Sequence, residues 1–442
     1  MCGIFGISDH TEAANITYLG LYGVQHRGQE GAGIASSDGK SHYEYKKQGY
    51  VADRFSEKVI RGLKGNTAIG HVRYSTTGES IKKNLQPFSV DFDLGTISIV
   101  HNGNLVNYRE LKEELEREGA VFQSTMDTEV MLHIIARHKS PSIEERILET
   151  MKRCRGAYSL LFLFGDKLIA ARDPHGVRPL AMGRLDGSFV FASETTSFDL
   201  IGAKYEREVE PGELVSVRHG KIESLSIPKK RSQSCVFEYI YFARPDSFLF
   251  DRRVYEIRKN MGRELARLYK IDADMVLPVP DSGVLAAMGY AEESGVPFEL
   301  ALVRNHYVGR TFIEPRQSIR NFGVKVKLNP VKSYIKGKRI VVIDDSIVRG
   351  TTSKKIIKML REAQAKEVHM IISAPPTTGS CFYGIDTPTK EELIASSKSI
   401  EQIRKFIDAD SLNYMTLDAL YRAVGNDREK FCDACFSGNY LI

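Results

Sequence analysis

The second residue of the chain is a cysteine, and it opens a short apolar run that reads Met1-Cys2-Gly3-Ile4-Phe5-Gly6-Ile7. Cysteine is small enough for an aminopeptidase to remove Met1, which would leave a thiol and a free α-amine on one residue. Because an α-amine has a reference pKa near ~8, part of it is unprotonated at neutral pH and can accept the thiol proton. Nucleophile and base would then share one residue, as in enzymes that use a terminal threonine. The alternative is an incidental cysteine that opens a buried first strand.

The chain has 442 residues, which is too long for one ordinary core, so we expect two or three domains. Short β-like runs fill the first half, and two helical patterns interrupt them. The predicted strands are Gly3–Ser8, Thr67–His71, Thr96–Val100, Tyr158–Phe164, Lys167–Ala171 and Phe189–Ala192, and the predicted helices are Leu105–Arg117 and Thr128–His138. This pattern favours an α+β fold in which two sheets pack face to face with helices outside them.

A polar, proline-containing stretch at 227–232 marks the predicted domain boundary. We therefore assign residues 2–228 to a first domain and residues 235–442 to a second. In the second domain, strands and helices alternate. The predicted strands are Met275–Pro280, Arg339–Ile343 and Val368–Ala374, and the predicted helices run from 284 to Ala291 and over Thr352–Ala363. This order is typical of an α/β fold with a parallel sheet, whose ligands bind at the carboxyl ends of the strands.

Charge and apolar runs exclude several classes of protein. The 62 Lys and Arg against 56 Asp and Glu leave a net charge of +6, spread along the chain apart from a denser region at Arg304–Lys327. A nucleic-acid binder concentrates its basic charge on one face, so small anionic substrates fit better. No apolar run approaches the ~20 residues that span a bilayer, and no secretory signal opens the chain. We expect a cytoplasmic protein whose six cysteines serve catalysis or metal binding.

Three further clusters can complete an amide-hydrolysing site around Cys2. They are Gln25-His26-Arg27-Gly28-Gln29-Glu30, His71-Val72-Arg73-Tyr74-Ser75-Thr76-Thr77-Gly78 and His101-Asn102-Gly103-Asn104. The Asn102 amide and the N–H of Gly103 can supply the two donors that an oxyanion needs at about 2.7–3.1 Å. Arg73 can hold an α-carboxylate, and Asp127 can hold an α-ammonium. Taken singly, Asn102-Gly103 also suits a turn, Arg73 a surface charge and Asp127 a helix N-cap.

Together these motifs resemble the glutaminase domain of the class II, N-terminal-nucleophile glutamine amidotransferases. MCGIFGI, QHRGQEGAGI, GHVRYSTTG, HNGNL and the Asp127 segment appear in that family's order over roughly half of the chain. The resemblance implies an αββα sandwich in which Cys2 is the nucleophile and Asn102 and Gly103 form the oxyanion hole. The residues it implies for glutamine binding are Arg27, Gly28, Arg73 and Asp127. The same domain also serves asparagine, glucosamine and glutamate synthases, so the second half must identify the acceptor of the ammonia.

The most specific string of the chain is Arg339-Ile340-Val341-Val342-Ile343-Asp344-Asp345-Ser346-Ile347-Val348-Arg349-Gly350-Thr351-Thr352. A hydrophobic strand ends in two carboxylates, and a hydroxyl-rich turn then opens a helix. Free N–H groups at the helix start make an anion site together with Ser346, Thr351 and Thr352. Asp344 and Asp345 suit ribose hydroxyls or a hard cation instead. No G-x-x-x-x-G-K-[ST] motif occurs, so the turn is not a P-loop. An ordinary strand-to-helix turn with an acidic edge is the alternative.

This string resembles the phosphoribosyl pyrophosphate (PRPP) signature of the type I phosphoribosyltransferases. The resemblance implies that the paired acids hold the ribose hydroxyls and Mg²⁺, and that the following turn holds the 5-phosphate. The residues implied for PRPP are Asp281, Ser282, Gly283, Asp344, Asp345, Ser346, Ile347, Val348, Arg349, Gly350, Thr351 and Thr352, with Ser282, Asp344 and Asp345 near the Mg²⁺. The segment 279–283 looks like the pyrophosphate loop. The segment Arg304–Lys327, with Tyr307 and Arg310, looks like a mobile lid, for which a solvated basic loop is the alternative.

Four of the six cysteines form a candidate ligand set. Cys432 and Cys435 make a C-x-x-C pair, and Cys235 and Cys381 stand apart from it in sequence. Such a set favours zinc or an iron–sulfur cluster. One branch of the glutamine phosphoribosyl amidotransferases carries a [4Fe–4S] cluster with cysteines at matching places, which implies that these four residues hold a cluster here, with zinc as the alternative. Cys154 is predicted to be a buried core thiol.

Over nearly the whole chain, the two halves together resemble the amidophosphoribosyltransferases. The resemblance implies that glutamine, PRPP and water give phosphoribosylamine, glutamate and pyrophosphate, the first step of de novo purine synthesis. It also implies purine nucleotides as feedback inhibitors and a homo-oligomer, expected to be a tetramer, without nucleic-acid or membrane partners. Only Met1 precedes Cys2, so we expect no self-cleavage of a leader. The alternatives are a PRPP-sensing stand-alone glutaminase and a non-catalytic PRPP-binding regulator, and the intact Asp344-Asp345 and Ser282-Gly283 argue against both.

Overall fold

The computed structural model describes residues 1–74, 82–305 and 327–441. In the first half of the chain, strands dominate. The strands are β1 (Gly3–Ile7), β2 (Gly31–Ser37), β3 (His42–Gln48), β4 (Thr67–Arg73), β5 (Phe88–Phe92), β6 (Gly95–Leu105), β7 (Gly156–Phe164), β8 (Lys167–Arg172), β9 (Ala181–Leu185), β10 (Ser188–Ala192), β11 (Lys204–Glu208), β12 (Glu213–Arg218) and β13 (Lys221–Ser226). The α-helices are α1 (Ala13–Gly23), α2 (Val51–Arg54), α3 (Glu57–Gly62), α4 (Tyr108–Arg117), α5 (Thr128–Arg137), α6 (Ile143–Arg153) and α7 (Thr196–Ile201).

These strands form two antiparallel sheets with the orders β11-β9-β10-β1-β4-β2-β3 and β13-β12-β8-β7-β6-β5. Successive side chains of a strand point to opposite faces, so each sheet has an inner and an outer apolar face. Ile4 of β1 and Leu161 of β7 belong to the core between the sheets. Phe5 lies in the core on the outer face of the first sheet, and Leu160 in the core on the outer face of the second. The helices cover these outer faces, which confirms the predicted αββα sandwich.

The largest difference from the predicted elements of this half concerns the HNGN motif. The predicted strand ends at Val100 and the predicted helix begins at Leu105, whereas β6 continues to Leu105 and α4 begins at Tyr108. The extension exists because residues 101–105 pair antiparallel with residues 156–160 of β7. The HNGN motif is therefore part of a sheet and not a turn that follows a strand.

Residues 227–233 lie in no helix or strand, and short elements follow them before the second sheet begins. The strands of this half are β14 (Ser234–Cys235), β15 (Phe248–Leu249), β16 (Arg252–Arg253), β17 (Met275–Pro278), β18 (Leu302–Arg304), β19 (Leu328–Pro330), β20 (Arg339–Asp344), β21 (Glu367–Ile372), β22 (Ser411–Tyr414) and β23 (Phe431–Cys432). The α-helices are α8 (Val254–Leu268), α9 (Val284–Ser294), α10 (Lys332–Ile335), α11 (Thr351–Glu362), α12 (Ile394–Ser397), α13 (Ile400–Ile407), α14 (Leu417–Ala423) and α15 (Ala434–Ser437), and a π-helical turn spans Glu238–Phe242.

The central sheet of the second half is parallel, with the order β17-β20-β21-β22. The interior strands β20 and β21 are almost continuously apolar, as expected for a parallel sheet that is covered on both faces. The predicted α/β fold of this half is therefore confirmed. The predicted lid residues Tyr307 and Arg310 lie outside the described residues. Within the described ranges, no helix combines the length and the apolar character needed to cross a membrane.

The hydrophobic core of the second half extends into the first half. Met1, Ala157 and Val177 of the first half belong to the same cluster of buried residues as the sheet of the second half. The start of β1 and the end of β6, which carry the predicted nucleophile and oxyanion hole, therefore lie against the second half.

Candidate active sites

The predicted nucleophile lies at the start of β1, and Cys2 is 7% exposed. Its thiol donates a hydrogen bond to the carbonyl oxygen of Tyr74 over 3.5 Å. Gly3 pairs with Val72 on the neighbouring strand β4, so the next residue along that strand, Arg73, lies beside Cys2. The thiol and the guanidinium-bearing residue thus occupy adjacent strand ends of one sheet.

Arg27 binds the backbone of the predicted nucleophile. Its Nε donates to the carbonyl oxygen of Cys2 over 3.0 Å. Its two terminal nitrogens contact the carboxylates of Glu194, at 2.5 Å, and Glu238, at 2.8 Å. The guanidinium and both carboxylates are fully buried. Burial alone would lower the pKa of Arg27, but the two carboxylates outweigh it and raise that pKa. The guanidinium nitrogens thus bind protein oxygens, and we infer that Arg27 positions the segment that carries Cys2.

Gly28 marks a close approach of two segments. A Cβ atom on this residue would lie 2.6 Å from backbone atoms of Val72 and Arg73. Only glycine allows the segment after Arg27 to pack directly on the end of β4. Gly28 therefore fixes the relative position of the segments that carry Arg27 and Arg73.

Asn102 and Gly103 lie near the end of β6. The Asn102 side chain is fully buried, and neither its amide nitrogen nor its oxygen has a hydrogen-bond partner among the described residues. Gly103 has φ +155, and a Cβ atom there would lie 2.0 Å from the carbonyl oxygen of Ala157. A buried, unsatisfied amide is costly, so this carboxamide is a strong candidate for contact with a ligand.

Asp127 lies at the N-cap position of α5, yet its carboxylate makes no capping bond. It accepts a hydrogen bond from the N–H of Leu105 over 2.8 Å and lies 3.6 Å from Nδ1 of His101. Burial raises the pKa of the Asp127 carboxyl, but the charge and hydrogen bond of His101, with the bonds from Leu105 and Thr128, outweigh it and lower that pKa. The carboxylate is therefore ionised at neutral pH, as the binding of an α-ammonium group requires.

The second candidate site lies at the carboxyl end of β20. Asp344 and Asp345 are both buried, and the N–H of Asp345 donates to the Asp344 carboxylate over 2.9 Å. Burial and the neighbouring Asp345 charge raise the pKa of the Asp344 carboxyl. Two adjacent acids in this environment repel each other, so a cation or ribose hydroxyls would stabilise the ionised pair.

The predicted pyrophosphate loop lies directly against this strand end. The N–H of Val279 donates to the carbonyl oxygen of Ile343 over 2.8 Å. A Cβ atom on Gly283 would lie 2.2 Å from the same oxygen. Ser282 follows the exposed Asp281, whose carboxylate pairs with Arg304. The structure therefore brings the loop at 279–283 and the paired acids together at one edge of the sheet.

The residues after the paired acids form the predicted turn into a helix. The Ser346 hydroxyl donates to the Asp345 carboxylate, and Ile347 is buried. The Val348 carbonyl accepts from the N–H of Ile394 over 2.9 Å, which fastens the turn to the neighbouring segment. Four further residues complete the turn: Arg349 pairs with Glu392, Gly350 has φ +74 at the N-cap, and Thr351 and Thr352 open α11. The helix start can thus present its free N–H groups to a phosphate.

The four predicted ligand cysteines line one cavity. The parallel pairing of β14 with β23 places Cys235 opposite Cys432. Cys435 follows in α15, and its carbonyl oxygen accepts from the N–H groups of Thr378 and Gly379 over 3.0 Å each, which brings the segment before Cys381 to the same place. The other lining residues are Val177, Arg178, Tyr383, Ile385 and Ala434.

Burial keeps three thiols of this cavity neutral, because it raises the pKa of Cys235, Cys432 and Cys435. Burial raises the pKa of Cys235 to about 11 and that of Cys432 to about 12. Among the described residues, no three His, Cys, Asp or Glu side chains form a group that could hold a metal ion as placed. The four cysteines thus share a cavity without forming a closed mononuclear site. Cys154 lies apart, buried in the outer core of the second sheet, where the sequence predicts it, although it follows α6 and is not within it.

Four buried charged residues that were not predicted from the sequence connect these candidate sites. Glu194 and Glu238 bind Arg27, Arg178 contacts Glu238 over 3.2 Å, and Arg258 donates to the carbonyl oxygens of Tyr239 and Ala243 over 2.7 Å each. Glu238 and Tyr239 stand in the string FEYIYFARPDS, next to Cys235, so that string was a signal for Glu238. The sequence gives no sign of these ion pairs, because their partners are distant along the chain.

Two domain families match the chain. The family described as Glutamine amidotransferase domain matches residues 71–199, and the family described as Phosphoribosyl transferase domain matches residues 250–401. Each match lies within the corresponding predicted domain.

The chain also resembles whole proteins. It is 52% identical over 444 residues to "Amidophosphoribosyltransferase 1, chloroplastic" from Arabidopsis thaliana, a match that covers 100% of this chain and 78% of that protein. It is 47% identical over 445 residues to the amidophosphoribosyltransferase of Bacillus subtilis strain 168, with 99% and 94% covered. A solved structure of the B. subtilis glutamine PRPP amidotransferase in complex with ADP and GMP superposes with a TM-score of 0.94 at 46% identity, covering 100% of this chain and 97% of that one.

The buried ion pairs of Arg27 predict a large loss of stability when they are broken. Arg27→Met leaves Glu194 and Glu238 without their shared cation, and removing one partner of a buried pair costs about 3–5 kcal/mol. Urea unfolding of the purified variant measures this change in the free energy of unfolding.

The matched control is Arg61→Met, because Arg61 pairs with Glu57 at a side chain that is 78% exposed. Exposed pairs contribute about 0–1 kcal/mol, so this variant is expected to unfold almost like the unmodified protein. Equal stability of the two variants would contradict the positioning role of Arg27.

Proposed function

The chain belongs to the amidophosphoribosyltransferases. On that premise we propose which of its residues carry out each part of the family's reaction. It is a transferase of the first step of purine biosynthesis, which uses glutamine and PRPP. We assign glutamine hydrolysis to the first half and transfer of the ammonia to PRPP to the second. The observation that carries this division is the buried, unsatisfied carboxamide of Asn102 near the nucleophile strand, since it is a donor without a protein acceptor among the described residues.

We propose that Cys2 acts after removal of Met1, when its own α-amine can take the thiol proton. The thiolate attacks the glutamine carboxamide, and the resulting oxyanion accepts hydrogen bonds from the Asn102 side chain and the Gly103 N–H. Collapse of this intermediate breaks the carbon–nitrogen bond and releases ammonia, which carries the transferred proton. Water then hydrolyses the thioester, so that glutamine and water give glutamate and ammonia.

Glutamine itself is held at its other end. Arg73 lies on the strand beside Cys2 and is proposed to bind the α-carboxylate, for which a guanidinium is suited. Asp127 is ionised and is proposed to balance the α-ammonium group. Arg27 and Gly28, proposed from the sequence as glutamine-binding, act in this scheme by holding Cys2 and the end of β4 in place.

In the second half, we propose that Asp344 and Asp345 hold the ribose hydroxyls of PRPP and Mg²⁺. The acids fit a hard cation, because they are paired, buried and adjacent to the loop that carries Ser282. When bound, Mg²⁺ would offset the charge of the departing pyrophosphate. The chain's own residues hold the rest of the substrate: the turn at Ser346–Thr352 holds the 5-phosphate, and the loop at 279–283 holds the pyrophosphate.

Ammonia must pass from one half to the other without protonation, because ammonium cannot attack the ribose carbon. We propose a protected path along the contact of β6 with the segment 382–384. The Asn104 side chain donates to the Phe382 carbonyl oxygen over 2.9 Å, and a Cβ atom on Gly384 would lie 2.9 Å from Gly103. This contact covers the oxyanion strand with residues of the second half. The lid proposed to close over PRPP, with Tyr307 and Arg310, lies outside the described residues.

We propose that Cys235, Cys381, Cys432 and Cys435 hold a [4Fe–4S] cluster. What supports this is the cavity that all four line, because such a cluster takes one thiolate for each of four irons. Zinc remains the alternative, since four thiolates can also surround a single zinc ion.

Four further properties of the chain are proposals. Purine nucleotides are proposed as feedback inhibitors, which is in keeping with the ADP and GMP bound to the B. subtilis relative. A homo-oligomer, expected to be a tetramer, and a cytoplasmic location are proposed from the sequence. The domain limits 2–228 and 235–442 are proposed in the same way, and the irregular segment at 227–233 supports them.

The division of labour predicts opposite responses to glutamine and ammonia. Cys2→Ala should abolish glutamine-dependent formation of phosphoribosylamine, because no nucleophile remains, while added ammonium salt at pH 8 still supports it. The matched control is Cys154→Ala, which removes a buried thiol elsewhere in the same half and should keep both activities. Glutamine turnover that survives in Cys2→Ala would overturn the assignment of the nucleophile.

Loss of the paired acids predicts that both activities fall. Asp344→Ala or Asp345→Ala removes ligands of ribose and Mg²⁺, so glutamine- and ammonia-dependent rates should each fall by about 10²-fold or more. Steady-state pyrophosphate release measures this change. The control is Glu362→Gln at the exposed end of α11, which should retain the unmodified rates. Near-normal ammonia-dependent rates in both aspartate variants would contradict the proposal.

The cluster predicts iron in protein purified without oxygen. We expect a brown protein with about four irons per chain by elemental analysis. Cys432→Ser should lose the iron, whereas Cys154→Ser should retain it. Stoichiometric zinc without iron in the unmodified protein would replace the cluster by a zinc site.

A further inference from the structure

Arg178 is a buried cation at the cavity of the four cysteines. Its side chain is fully buried, and it is the one cationic residue among those that line this cavity in the described part of the chain. The N–H of Cys235 donates to the carbonyl oxygen of Val177, the residue before Arg178, over 3.1 Å. The backbone thus fixes Arg178 beside the first cysteine of the set.

One guanidinium nitrogen of Arg178 has no hydrogen-bond partner among the described residues. Nε donates to the carbonyl oxygen of Tyr383 over 2.7 Å, and Nη1 contacts the Glu238 carboxylate over 3.2 Å. Nη1 also lies 2.6 Å from the sulfur of Met1, a contact that disappears if Met1 is removed. Nη2 is buried and has no partner among the described residues. A buried guanidinium N–H without an acceptor is costly, so an acceptor from outside the protein would repair it.

The charge balance points the same way. Glu238 is shared, because it also binds Nη2 of Arg27 over 2.8 Å, so it does not neutralise Arg178 alone. Four cysteine thiolates around an iron–sulfur core carry a net negative charge, and a buried charge needs compensation. The remaining side chains of the lining, such as Val177, Ile385 and Ala434, offer none.

We propose that Arg178 is the positioning residue that compensates the charge of the cluster held by the four cysteines, with its free Nη2–H directed at cluster or thiolate sulfur. This proposal rests on the proposed cluster. Hydrogen bonds to the sulfurs and nearby positive charge stabilise the reduced state, and both raise a cluster's reduction potential. Arg178 also connects the proposed cluster to the proposed glutaminase site through hydrogen bonds. Glu238 accepts from both Arg178 and Arg27, and Arg27 donates to the carbonyl oxygen of Cys2.

The test compares Arg178→Met, Arg178→Lys and the unmodified protein after anaerobic purification. The measurements are iron per chain, the midpoint potential by redox titration, and the rate of loss of visible absorbance in air. Arg178→Met should lower the reduction equilibrium constant at least tenfold, which is about 59 mV for one electron. It should also lose its cluster faster in air, or fail to retain it. Arg178→Lys keeps the charge and should fall between Arg178→Met and the unmodified protein.

The control is Arg146→Met, which removes another buried arginine, paired with Asp93 and remote from the cavity lining. It should keep the unmodified potential. If Arg178→Met does not fold, Arg178→Gln takes its place as the neutral variant. An unchanged potential and iron content in the neutral variant would overturn the proposal, as would a lysine variant as defective as the neutral one. Absence of iron from the unmodified protein would instead show that the proposed cluster itself is wrong.

Discussion

The interaction on which the rest of the structure depends is the buried ion pair of Arg27 with Glu238. Arg27 comes from the first half and Glu238 from the π-helical turn that opens the second, and both side chains are fully buried. Such a pair adds little stability over an apolar replacement, but it fixes geometry, since neither charge can be left alone. Because the same arginine holds the carbonyl oxygen of Cys2, the proposed nucleophile is placed by a contact between the two halves.

The π-helical turn is also linked electrostatically to the second candidate site. Arg258, on α8, donates to the carbonyl oxygens of Tyr239 and Ala243 at the two ends of this turn, and the Asp345 charge acts on the same guanidinium. Burial is nevertheless the larger effect, and it lowers the pKa of Arg258. A change of charge at the paired acids can therefore act on the turn that carries Glu238. This electrostatic interaction links the two candidate sites through residues that the structure describes.

Local chemistry made much of this molecule predictable. The apolar strand before Asp344, the turn after it and the apolar run of β1 follow from local composition and turn residues, and the structure has these elements within a few residues of their predicted limits. The course of β6 was not predictable in this way, because HNGN also has the composition of a turn. Its extension depends on pairing with β7, and the close contact of Gly103 with Ala157 belongs to that pairing. Glu194, Glu238 and Arg178 were missed for the same reason, since their partners are distant in sequence.

The cysteine cavity shows why the two halves should not be regarded as independent. The cavity is lined by cysteines from three segments of the second half: Cys235, Cys381 and the pair Cys432–Cys435. The pairing of β14 with β23 closes a loop that contains nearly the whole second half. Arg178 adds a fourth segment from the first half, and it also holds the Tyr383 carbonyl oxygen. The segment after Cys381 in turn covers Gly103. Anything that loosens these cysteines therefore acts on the strand that carries the proposed oxyanion hole, because only two residues separate Cys381 from Gly384, which packs on Gly103.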